Sequence, residues 1–388
     1  MSIAELERDS EVTVECVAAK FNAIRDDLNA SLIEREGEVD AVLTALVAGE
    51  SALFVGPPGV GKSMLADGVC NAMHASKFSV LLNKFTTPEE VCGPLDLQAL
   101  KQGRYERVVD GYLPTAEVAF LDEVFKASSA ILNTMLKILN ERVYAIGNQV
   151  IKCPLQLCIG ASNEWPGEQD GRQELGALFD RFLIRRSVQP VQDPRNQERL
   201  LWDADLSIRL SDRLSCEDVE VARSAARAMK YSKEAKTALE LVISQLRTEG
   251  INPGDRRLRK SVGIAKAYAL VCGADEVTPD HLEILADVLW DDPTEQPKVC
   301  RQVIGKIANP SGLVVNQLLA ECQQIIRETN VKDMQAATVA TKKLAEIERK
   351  ASALPAAMTK GTKAQKALEY IETQRKTLKK RMIESLDS

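Results

Sequence analysis

Several residue types that build common catalytic and metal sites are scarce in this sequence. It contains two histidines, His74 and His281, which are too few and too far apart for a histidine-based metal site or catalytic triad. The nine cysteines are scattered, and the one close pair, Cys153 and Cys158, lacks the spacing of a zinc knuckle. We therefore expect reduced, mostly buried cysteines that pack as small hydrophobes.

Long hydrophobic runs are missing as well. No apolar stretch approaches the roughly 20 residues that a helix needs to cross a bilayer. The N-terminal segment MSIAELERDSEVTVE lacks the basic-then-apolar pattern of an export signal. The chain has 388 residues, of which 45% are hydrophobic, so it can bury a core in each of two or three domains. These features predict a cytoplasmic protein without membrane insertion.

Charge is distributed unevenly along the chain. Residues 341–388 hold 12 Lys and Arg against 6 Asp and Glu, which leaves 38 basic against 50 acidic residues in the preceding part. Nucleic-acid backbones are bound by clustered Lys and Arg, so an acidic body argues against broad duplex binding. Only the basic tail keeps a nucleic-acid partner open as an alternative.

Residues 35–190 alternate short apolar runs with helical stretches, a pattern that is typical of a parallel sheet with helices on both faces. The fold class is therefore predicted as α/β, followed by helices only. The predicted strands are Ala52–Val55, Val80–Asn83, Val118–Leu121, Leu155–Gly160 and Leu183–Val188.

The segment GPPGVGKS, residues 56–63, fits the phosphate-binding pattern GxxxxGK[ST] and lies between a predicted strand and a predicted helix. Its glycines let several backbone N–H groups converge on phosphate oxygens at a helix N-terminus. Lys62 would reach the outer phosphates, and the Ser63 hydroxyl would bind Mg²⁺. The pattern predicts ATP and Mg²⁺ as ligands, with nucleotide contacts from Gly56, Pro57, Pro58, Gly59, Val60, Gly61, Lys62, Ser63 and Met64.

Two carboxylates end the third predicted strand, VAFLDE. Asp122 would hold the magnesium shell. Side chains alternate along a strand, so the adjacent Glu123 points differently and can polarise the attacking water as a general base. Asn163 ends the next strand, where its neutral amide could orient water; capping a turn is the alternative.

These segments resemble the MoxR branch of AAA+ ATPases, and most closely the regulatory ATPase variant A (RavA) type. The resemblance covers about residues 31–300. It includes FTTPEEVCGPLDLQALKQGRYERVVDGYLPTAEVAFLDE, AILNTMLKILNER, ASNEWP, LFDRFLIR and DRRLRK.

The resemblance implies an AAA+ nucleotide-binding core over residues 31–193. The segments around it are a helical stretch over 1–30, an all-helical lid over 194–309 and a helical extension over 310–388. In the extension, one helical stripe contains Leu368, Ile371, Leu378, Met382 and Leu386. Packing between helices and docking of a partner are both open for this stripe. The extension leaves no room for the compact β domain of the closest relatives.

Two hairpin insertions are also implied, at Leu95–Val109 and Val143–Ile151. The first would turn at residues 101–104 and the second at Gly147-Asn148. They are either plain surface loops or, as in the family, segments that face the centre of a ring and touch the substrate.

The resemblance also assigns the remaining site residues. Arg181 would act as an arginine finger on a neighbouring subunit, with Arg185 and Arg186 as weaker candidates. A structural salt bridge from Arg181 to Asp180 or Glu174 is the alternative. The lid sensor that touches the phosphates would be Arg256 or Arg257, and the segment covering the adenine ring would contain Leu32 and Ile33.

The function implied is ATP hydrolysis in a homo-oligomeric ring, expected to be a hexamer. The ring would remodel or help to assemble client proteins in a chaperone-like role, together with a partner that carries a von Willebrand factor A domain. A nucleic-acid loader or helicase is the alternative, supported by the basic tail alone. A nucleotide-dependent scaffold is disfavoured, because a scaffold has no chemical need for Glu123 and Arg181.

Overall fold

The structure, a computed structural model, describes residues 13–147, 149–165, 172–203, 206–308, 312–329, 334–354 and 363–384. Its main sheet consists of parallel strands in the spatial order β2-β3-β6-β1-β7, and β4 and β5 form a separate antiparallel pair. The strands are β1 (Ser51–Val55), β2 (Lys77–Leu81), β3 (Val118–Asp122), β4 (Val143–Ile146), β5 (Gln149–Lys152), β6 (Leu157–Ser162) and β7 (Phe182–Ser187).

Helices pack against the sheet and follow it as the lid and the C-terminal region. They are α1 (Val14–Ser31), α2 (Glu36–Ala48), α3 (Lys62–Met73), α4 (Pro88–Cys92), α5 (Leu97–Lys101), α6 (Ser129–Glu141), α7 (Arg172–Arg181), α8 (Pro194–Trp202), α9 (Cys216–Ala228), α10 (Lys233–Thr248), α11 (Asp255–Val271), α12 (Gln296–Ile307), α13 (Gly312–Glu328), α14 (Met334–Ser352) and α15 (Lys363–Glu384). None of the described helices is both long and apolar enough to span a membrane.

The predicted α/β class, with a helical lid and a helical C-terminal region, is confirmed. Each of the five predicted apolar runs overlaps a strand of the main sheet, and β1 is buried along its whole length between β6 and β7. The second run was placed too late, because its end forms a turn. Asn83 receives a hydrogen bond from Phe85 N at 2.7 Å, and its own N–H donates to Thr86 Oγ1 at 2.9 Å.

Local signals at helix ends explain where several helices begin and stop. Gly49 ends α2 in the left-handed conformation, at φ 69°. The Ser215 side chain caps α9 and the Ser232 side chain caps α10, each accepting a hydrogen bond from the first turn. In α9 the capping partner Asp218 also binds Lys20 of α1 at 3.0 Å, which ties the N-terminal helix to the lid.

One continuous hydrophobic core runs from Val17 to Ala308 and joins the sheet, α1 and the lid helices α9–α12. Helix α11 packs on α2 and α9, so the lid lies against the helical layer beside β1. The lid also contains a 3-10 segment, Pro279–Asp287, that leads to the fully buried Trp290.

The two insertions differ from each other. The second is a β-hairpin as predicted, β4 paired with β5, although Asn148 in its turn lies outside the described residues. The first was wrongly predicted as a hairpin: it contains helix α5 and closes through a single antiparallel bridge between Leu95 and Arg107. Asp96 causes this, because its carboxylate accepts hydrogen bonds from Gln98 N at 2.8 Å and Ala99 N at 3.0 Å and starts a helix instead of a strand.

Helices α13–α15 form a C-terminal bundle (residues 312–384) with a hydrophobic core of its own. Ile371 and Leu378 are buried in this core and Leu368 packs against it, which supports helix packing as the role of the predicted stripe. The Met382 side chain and Leu386 lie outside the described residues.

Candidate active site

The phosphate cradle, residues 56–63, follows β1 directly and ends in the first turn of α3. Gly56 is required by packing, because a Cβ there would lie 2.1 Å from the carbonyl oxygen of Val188 at the end of β7. Gly59 and Gly61 have φ values of 81° and 86°, a backbone region that residues with a Cβ rarely adopt. The loop thus presents its backbone N–H groups at the positive end of a 12-residue helix.

Lys62 lies inside this cradle. Its Nζ donates hydrogen bonds to Gly56 O at 2.5 Å, Pro57 O at 3.1 Å and Asn163 Oδ1 at 3.1 Å. Burial lowers the pKa of the ammonium group, while the nearby Asp122 and Glu123 act in the opposite direction. An anionic ligand in the cradle would replace the loop carbonyls as the hydrogen-bond partner of the Lys62 ammonium group, which is already in position.

Asn163 connects Lys62 to the carboxylate of Glu123. Its amide nitrogen donates a hydrogen bond to Glu123 Oε1, while its oxygen accepts from Lys62. The turn after β6 is instead held by Ser162, whose hydroxyl donates to Glu164 O at 2.7 Å. The contacts of Asn163 therefore favour the predicted role in the site over turn capping.

Glu123 keeps one carboxylate oxygen available. Its Oε2 is buried and has no hydrogen-bond partner among the described residues, although Lys126 Nζ lies 3.3 Å away as an ion pair without hydrogen-bond geometry. The backbone at Glu123 is left-handed, with φ 52°, directly after the last residue of β3. A buried oxygen that accepts no hydrogen bond can accept the proton of a water molecule, as a general base must.

The residues that would hold magnesium lie at the same edge of the sheet. Ser63 is exposed in the first turn of α3, and Asp122 is half-buried at the end of β3. A hydroxyl and a carboxylate suit Mg²⁺, which usually takes one or two protein oxygens together with substrate phosphates. No group of three or more His, Cys, Asp or Glu capable of holding a metal occurs in the described chain.

A cavity of about 350 Å³ adjoins the cradle. Leu32 and Ile33 form one wall, as predicted for the segment that covers the adenine ring. The lining is mostly apolar side chains and backbone, which suits the flat face of a nucleobase. It consists of Ser31, Leu32, Ile33, Arg35, Pro57, Pro58, Gly59, Val60, Gly61, Met64, Pro190, Val191, Leu200 and Leu206.

Sequence reasoning missed Glu34 and Arg35, which hold this wall in place. Arg35 Nε donates to Val60 O of the cradle at 2.9 Å. The Glu34 carboxylate accepts hydrogen bonds from Gln192 N at 2.7 Å, Asp193 N at 2.8 Å and Asn196 Nδ2 at 3.0 Å. Glu34 thus caps the N-terminus of α8 from a distant part of the chain, and the only sequence signal was its position next to Ile33.

Arg181 is the last residue of α7, immediately before β7. Its Nε is buried and has no hydrogen-bond partner in the part of the chain that the structure describes. The alternative of a salt bridge to Asp180 is not observed, since Asp180 binds Arg256 at 3.3 Å and Arg257 at 2.8 Å. The Glu174 side chain lies outside the described residues.

Arg185 and Arg186 are committed to partners within their own chain. The Arg185 side chain is fully buried and donates to Trp290 O, and burial together with the nearby Arg257 lowers its pKa to about 9. Arg186 pairs with Asp287 at 2.6 Å and with Glu38 at 3.5 Å. These contacts leave Arg181 as the candidate finger.

The two candidate lid sensors lie at the junction of the lid with α7. Arg257 is buried and binds the carboxylates of Asp180 and Asp291 and the carbonyl oxygens of Leu183 and Val288. Arg256 is half-exposed, and among the described residues it binds Asp180 alone. Within the described residues, neither arginine makes a hydrogen bond or ion pair with the cradle. The geometry therefore places both beside the candidate finger of their own chain.

Comparisons with known proteins show the family of the chain and the likeness of its fold to a solved structure. A family model described as the MoxR domain in MoxR-vWA-beta-propeller ternary systems matches residues 19–220, and a model of an AAA lid domain matches residues 236–303. A crystal structure of a candidate ATPase from Cytophaga hutchinsonii is 17% identical with a TM-score of 0.60, covering 76% of this chain and 94% of that one. At this identity the likeness concerns the fold alone.

Three curated proteins are similar over most of the chain. The uncharacterised protein MJ0812 of Methanocaldococcus jannaschii is 36% identical, covering 90% of this chain and 94% of the relative. The uncharacterised protein MJ0079 of the same organism is 38% identical, covering 70% of each. The structural protein ORF618 of Acidianus two-tailed virus is 27% identical, covering 73% of this chain and 51% of the viral protein.

Proposed function

The chain belongs to the MoxR family of AAA+ ATPases, and on this premise we propose that it binds and hydrolyses ATP in an oligomeric ring. The observation that carries the proposal is the connected group Lys62, Asn163 and Glu123, assembled at the cradle without help from another chain. A nucleotide-binding scaffold would need the lysine but not the other two side chains.

Each of these residues has a task in hydrolysis. Lys62 binds the outer phosphates and neutralises part of their charge. Glu123 Oε2 accepts a proton from the attacking water, and Asn163 holds the carboxylate through Oε1 so that Oε2 faces the reacting atoms. When bound through Ser63 and Asp122, Mg²⁺ would supply further neutralisation of phosphate charge.

We propose that Arg181 completes the site of a neighbouring subunit. A guanidinium directed at the transferring phosphoryl group is worth roughly 10³ to 10⁵ in rate in other NTPases. The uncommitted Nε of Arg181 and the commitment of Arg185 and Arg186 within their own chain support this assignment. A ring, proposed here as a hexamer, follows from a finger that acts in trans. We also propose Arg256 or Arg257 as the phosphate sensor, and a movement of the lid would be needed to bring it to the phosphates.

The use of this hydrolysis is proposed to be remodelling or assembly of a client protein with a von Willebrand factor A partner. The matching family model is described as the MoxR domain of ternary systems whose name includes vWA, which supports this partner. The two insertions offer exposed apolar side chains for a client: Leu97, Leu100, Tyr105, Val108 and Val150. The nine free cysteines support a reducing, cytoplasmic location, and the RavA subtype stays a prediction from the motifs.

The hydrolytic role is tested by comparing Lys62→Ala with Glu123→Gln. Lys62→Ala should abolish ATP binding, because it removes a phosphate contact. Glu123→Gln should keep binding and stop turnover, because it removes only the base. Equal loss of ATP affinity in the two variants would refute the role of Glu123.

The partner is tested with the von Willebrand factor A protein encoded beside this gene, where there is one. ATP turnover of the full chain should change when that protein is added, and the Glu123→Gln variant, which traps ATP, should co-elute with it. No binding in any nucleotide state would leave the ATPase proposal intact and refute the partner.

A further inference from the structure

Aromatic side chains from four functional segments meet next to the candidate finger. Phe125 follows Glu123 by two residues, Trp165 follows Asn163 by two, Phe179 precedes Arg181 by two, and Trp290 lies three residues after the end of the lid's 3-10 segment. The ring centroids of Phe179 lie 6.2 Å from Phe125, 6.1 Å from Trp165 and 6.1 Å from Trp290. Trp165 and Trp290 are 5.6 Å apart in an edge-to-face contact. Phe179 is therefore at the centre of this aromatic cluster.

A buried cation stiffens the cluster. The Arg185 guanidinium lies 4.2 Å from the ring centroid of Phe179 and 4.4 Å from that of Trp290. Its Nε and Nη1 have no hydrogen-bond partners among the described residues, so these two aromatic faces are a large part of its environment. Moving Phe179 would leave a desolvated charge with less support, which penalises displacement of α7.

An ion-pair chain holds the same helix end from its other side. Asp180, adjacent to Arg181, accepts from Arg257 Nη2 at 2.8 Å, and Arg257 Nε in turn lies 3.2 Å from Asp291. Asp291 follows Trp290 and also approaches Arg185 at 3.5 Å. The two residues before Arg181 are thus both fixed to the lid, one by ring contacts and one by charge.

We propose that Phe179 and Asp180 are positioning residues for Arg181. Through them the segment after β6 and the lid of one subunit set the position of the finger, and so control hydrolysis in the neighbouring subunit. This inference rests on the proposed action of Arg181 in trans. It also gives Arg257 a role that differs from that of a phosphate sensor. Through its bond to Asp180, Arg257 acts on the ATP site of the neighbouring subunit and not on the phosphates bound in its own subunit.

The physical basis is the steepness with which catalysis depends on position. A displacement of about 1 Å in a catalytic group can cost about 10²-fold in rate. Phe179→Leu keeps an apolar side chain at the centre of the cluster but removes the ring that contacts Arg185 and both tryptophans. Asp180→Asn keeps the shape of a half-exposed side chain and removes its charge. Both variants leave the cradle, Glu123 and Arg181 itself unchanged.

The experiment measures ATP affinity and turnover of the full chain for Phe179→Leu and Asp180→Asn. Phe21→Leu is the matched control, since Phe21 is also a buried phenylalanine but lies in α1, outside the cluster. We expect ATP affinity within about twofold of wild type in all three, and turnover about 10-fold to 10²-fold lower in the two test variants only. Unchanged turnover in both test variants would overturn the proposal.

Mixing separates a positioning role from general damage. Glu123→Gln subunits have a dead site but an intact finger, so adding them to Phe179→Leu or Asp180→Asn subunits should raise turnover several-fold. If Arg181→Ala is rescued in this way but the test variants are not, the test variants are damaged in their own ATP site. The positioning role then fails, while the finger in trans stands. If Arg181→Ala is not rescued in subunits that co-assemble, the finger in trans fails first.

A second measurement removes the finger altogether. In an Arg181→Ala background, Phe179→Leu should lower turnover no further, because a positioning residue has nothing left to position. An additional loss of the same size in both backgrounds would show that Phe179 acts independently of Arg181.

Discussion

The cradle and the end of α7 contribute to the proposed reaction in opposite ways. At the cradle, Lys62, Asn163 and Glu123 already contact one another within a single chain. At the end of α7, Phe179 and Asp180 have partners in the chain, yet Nε of Arg181 has none among the described residues. We therefore propose that the first region binds ATP and activates water within one subunit, and that the second presents its cation to a neighbouring subunit.

The difference follows from where the two regions lie in the fold. The cradle residues come from the carboxyl ends of the central strands β1, β3 and β6, where side chains of adjacent strands must converge. Arg181 lies before the amino end of β7, the edge strand, where lid residues Arg256 and Arg257 bind the adjacent Asp180. Substitutions in the first region should act within a subunit, and those in the second between subunits.

The largest effect that can break this comparison is expected from Arg181→Ala. Turnover should fall about 10³-fold or more while ATP affinity stays nearly normal, because the finger stabilises charge that develops only in the transition state. Arg259→Ala, an exposed arginine of α11, should change neither quantity. Turnover per subunit of the wild type should also rise with protein concentration; full activity from a proven monomer would contradict the ring.

Asn163→Ala should have the next largest effect. The variant frees both Lys62 and the Glu123 carboxylate, so we expect turnover to drop about 10²-fold and ATP affinity to drop only a few-fold. Steady-state turnover and nucleotide titration separate the two quantities. A loss confined to affinity would mean that Asn163 serves only the lysine. This effect should not be rescued by mixing with Glu123→Gln subunits, since the damage lies within the subunit.

Glu34→Gln should weaken ATP binding several-fold with little change in turnover at saturation. A neutral amide cannot accept all the hydrogen bonds that the carboxylate accepts from Gln192, Asp193 and Asn196. The side of the cavity formed by Pro190, Val191, Leu200 and Leu206 therefore loosens. Glu36→Gln, an exposed carboxylate at the start of α2, is the matched control. Equal affinity in both variants would show that the cap on α8 does not shape the pocket.

The stability that Glu34 contributes should depend on pH, and the same variant tests this. Partial burial would raise the pKa of Glu34, but hydrogen bonds from Gln192 N, Asn196 and Asp193 N outweigh it and lower the pKa below its ordinary value. A carboxyl with a lowered pKa stabilises the fold above its ordinary pKa and loses this contribution as the pH falls through the lowered value. Wild type and Glu34→Gln should therefore differ in Tm at neutral pH and converge in acid.

The smallest effect is expected from removing the C-terminal bundle. The bundle has a separate core, so a chain that ends after residue 308 should keep its turnover per assembled subunit within about twofold. The full chain should show little salt-dependent affinity for DNA or RNA. Tight, salt-sensitive binding that disappears with the bundle would favour the nucleic-acid alternative, because counterion release scales with the phosphates neutralised.

The motifs predicted the cradle and the sheet because both depend on short-range signals. A buried parallel strand is a run of apolar residues, and the phosphate loop is a fixed spacing of glycines before a lysine. Helix α5 escaped prediction because one side chain, Asp96, decides between a cap and a strand. Apart from Asp96, the sequence around α5 is compatible with the two short arms of a hairpin.

The partners of charged groups could not be predicted, because they depend on tertiary contacts. The sequence offered Arg185 and Arg186 as weaker candidates for the finger, yet the first lies between two aromatic rings and the second between two carboxylates. Glu34 binds residues more than 150 positions away. No local pattern encodes such pairings, and the roles of Arg256 and Arg257 were left open for the same reason.

The left-handed backbone at Glu123 has a consequence for stability. A residue with a side chain is strained at φ 52°, by an amount of order 1 kcal/mol, and glycine would relieve that strain. The chain thus keeps its base at a position where the folded state alone would favour another residue. Selection for thermal tolerance would favour glycine at this position, whereas selection for turnover would favour glutamate. A chain stabilised by substituting Glu123 would lack its general base and would not turn over ATP.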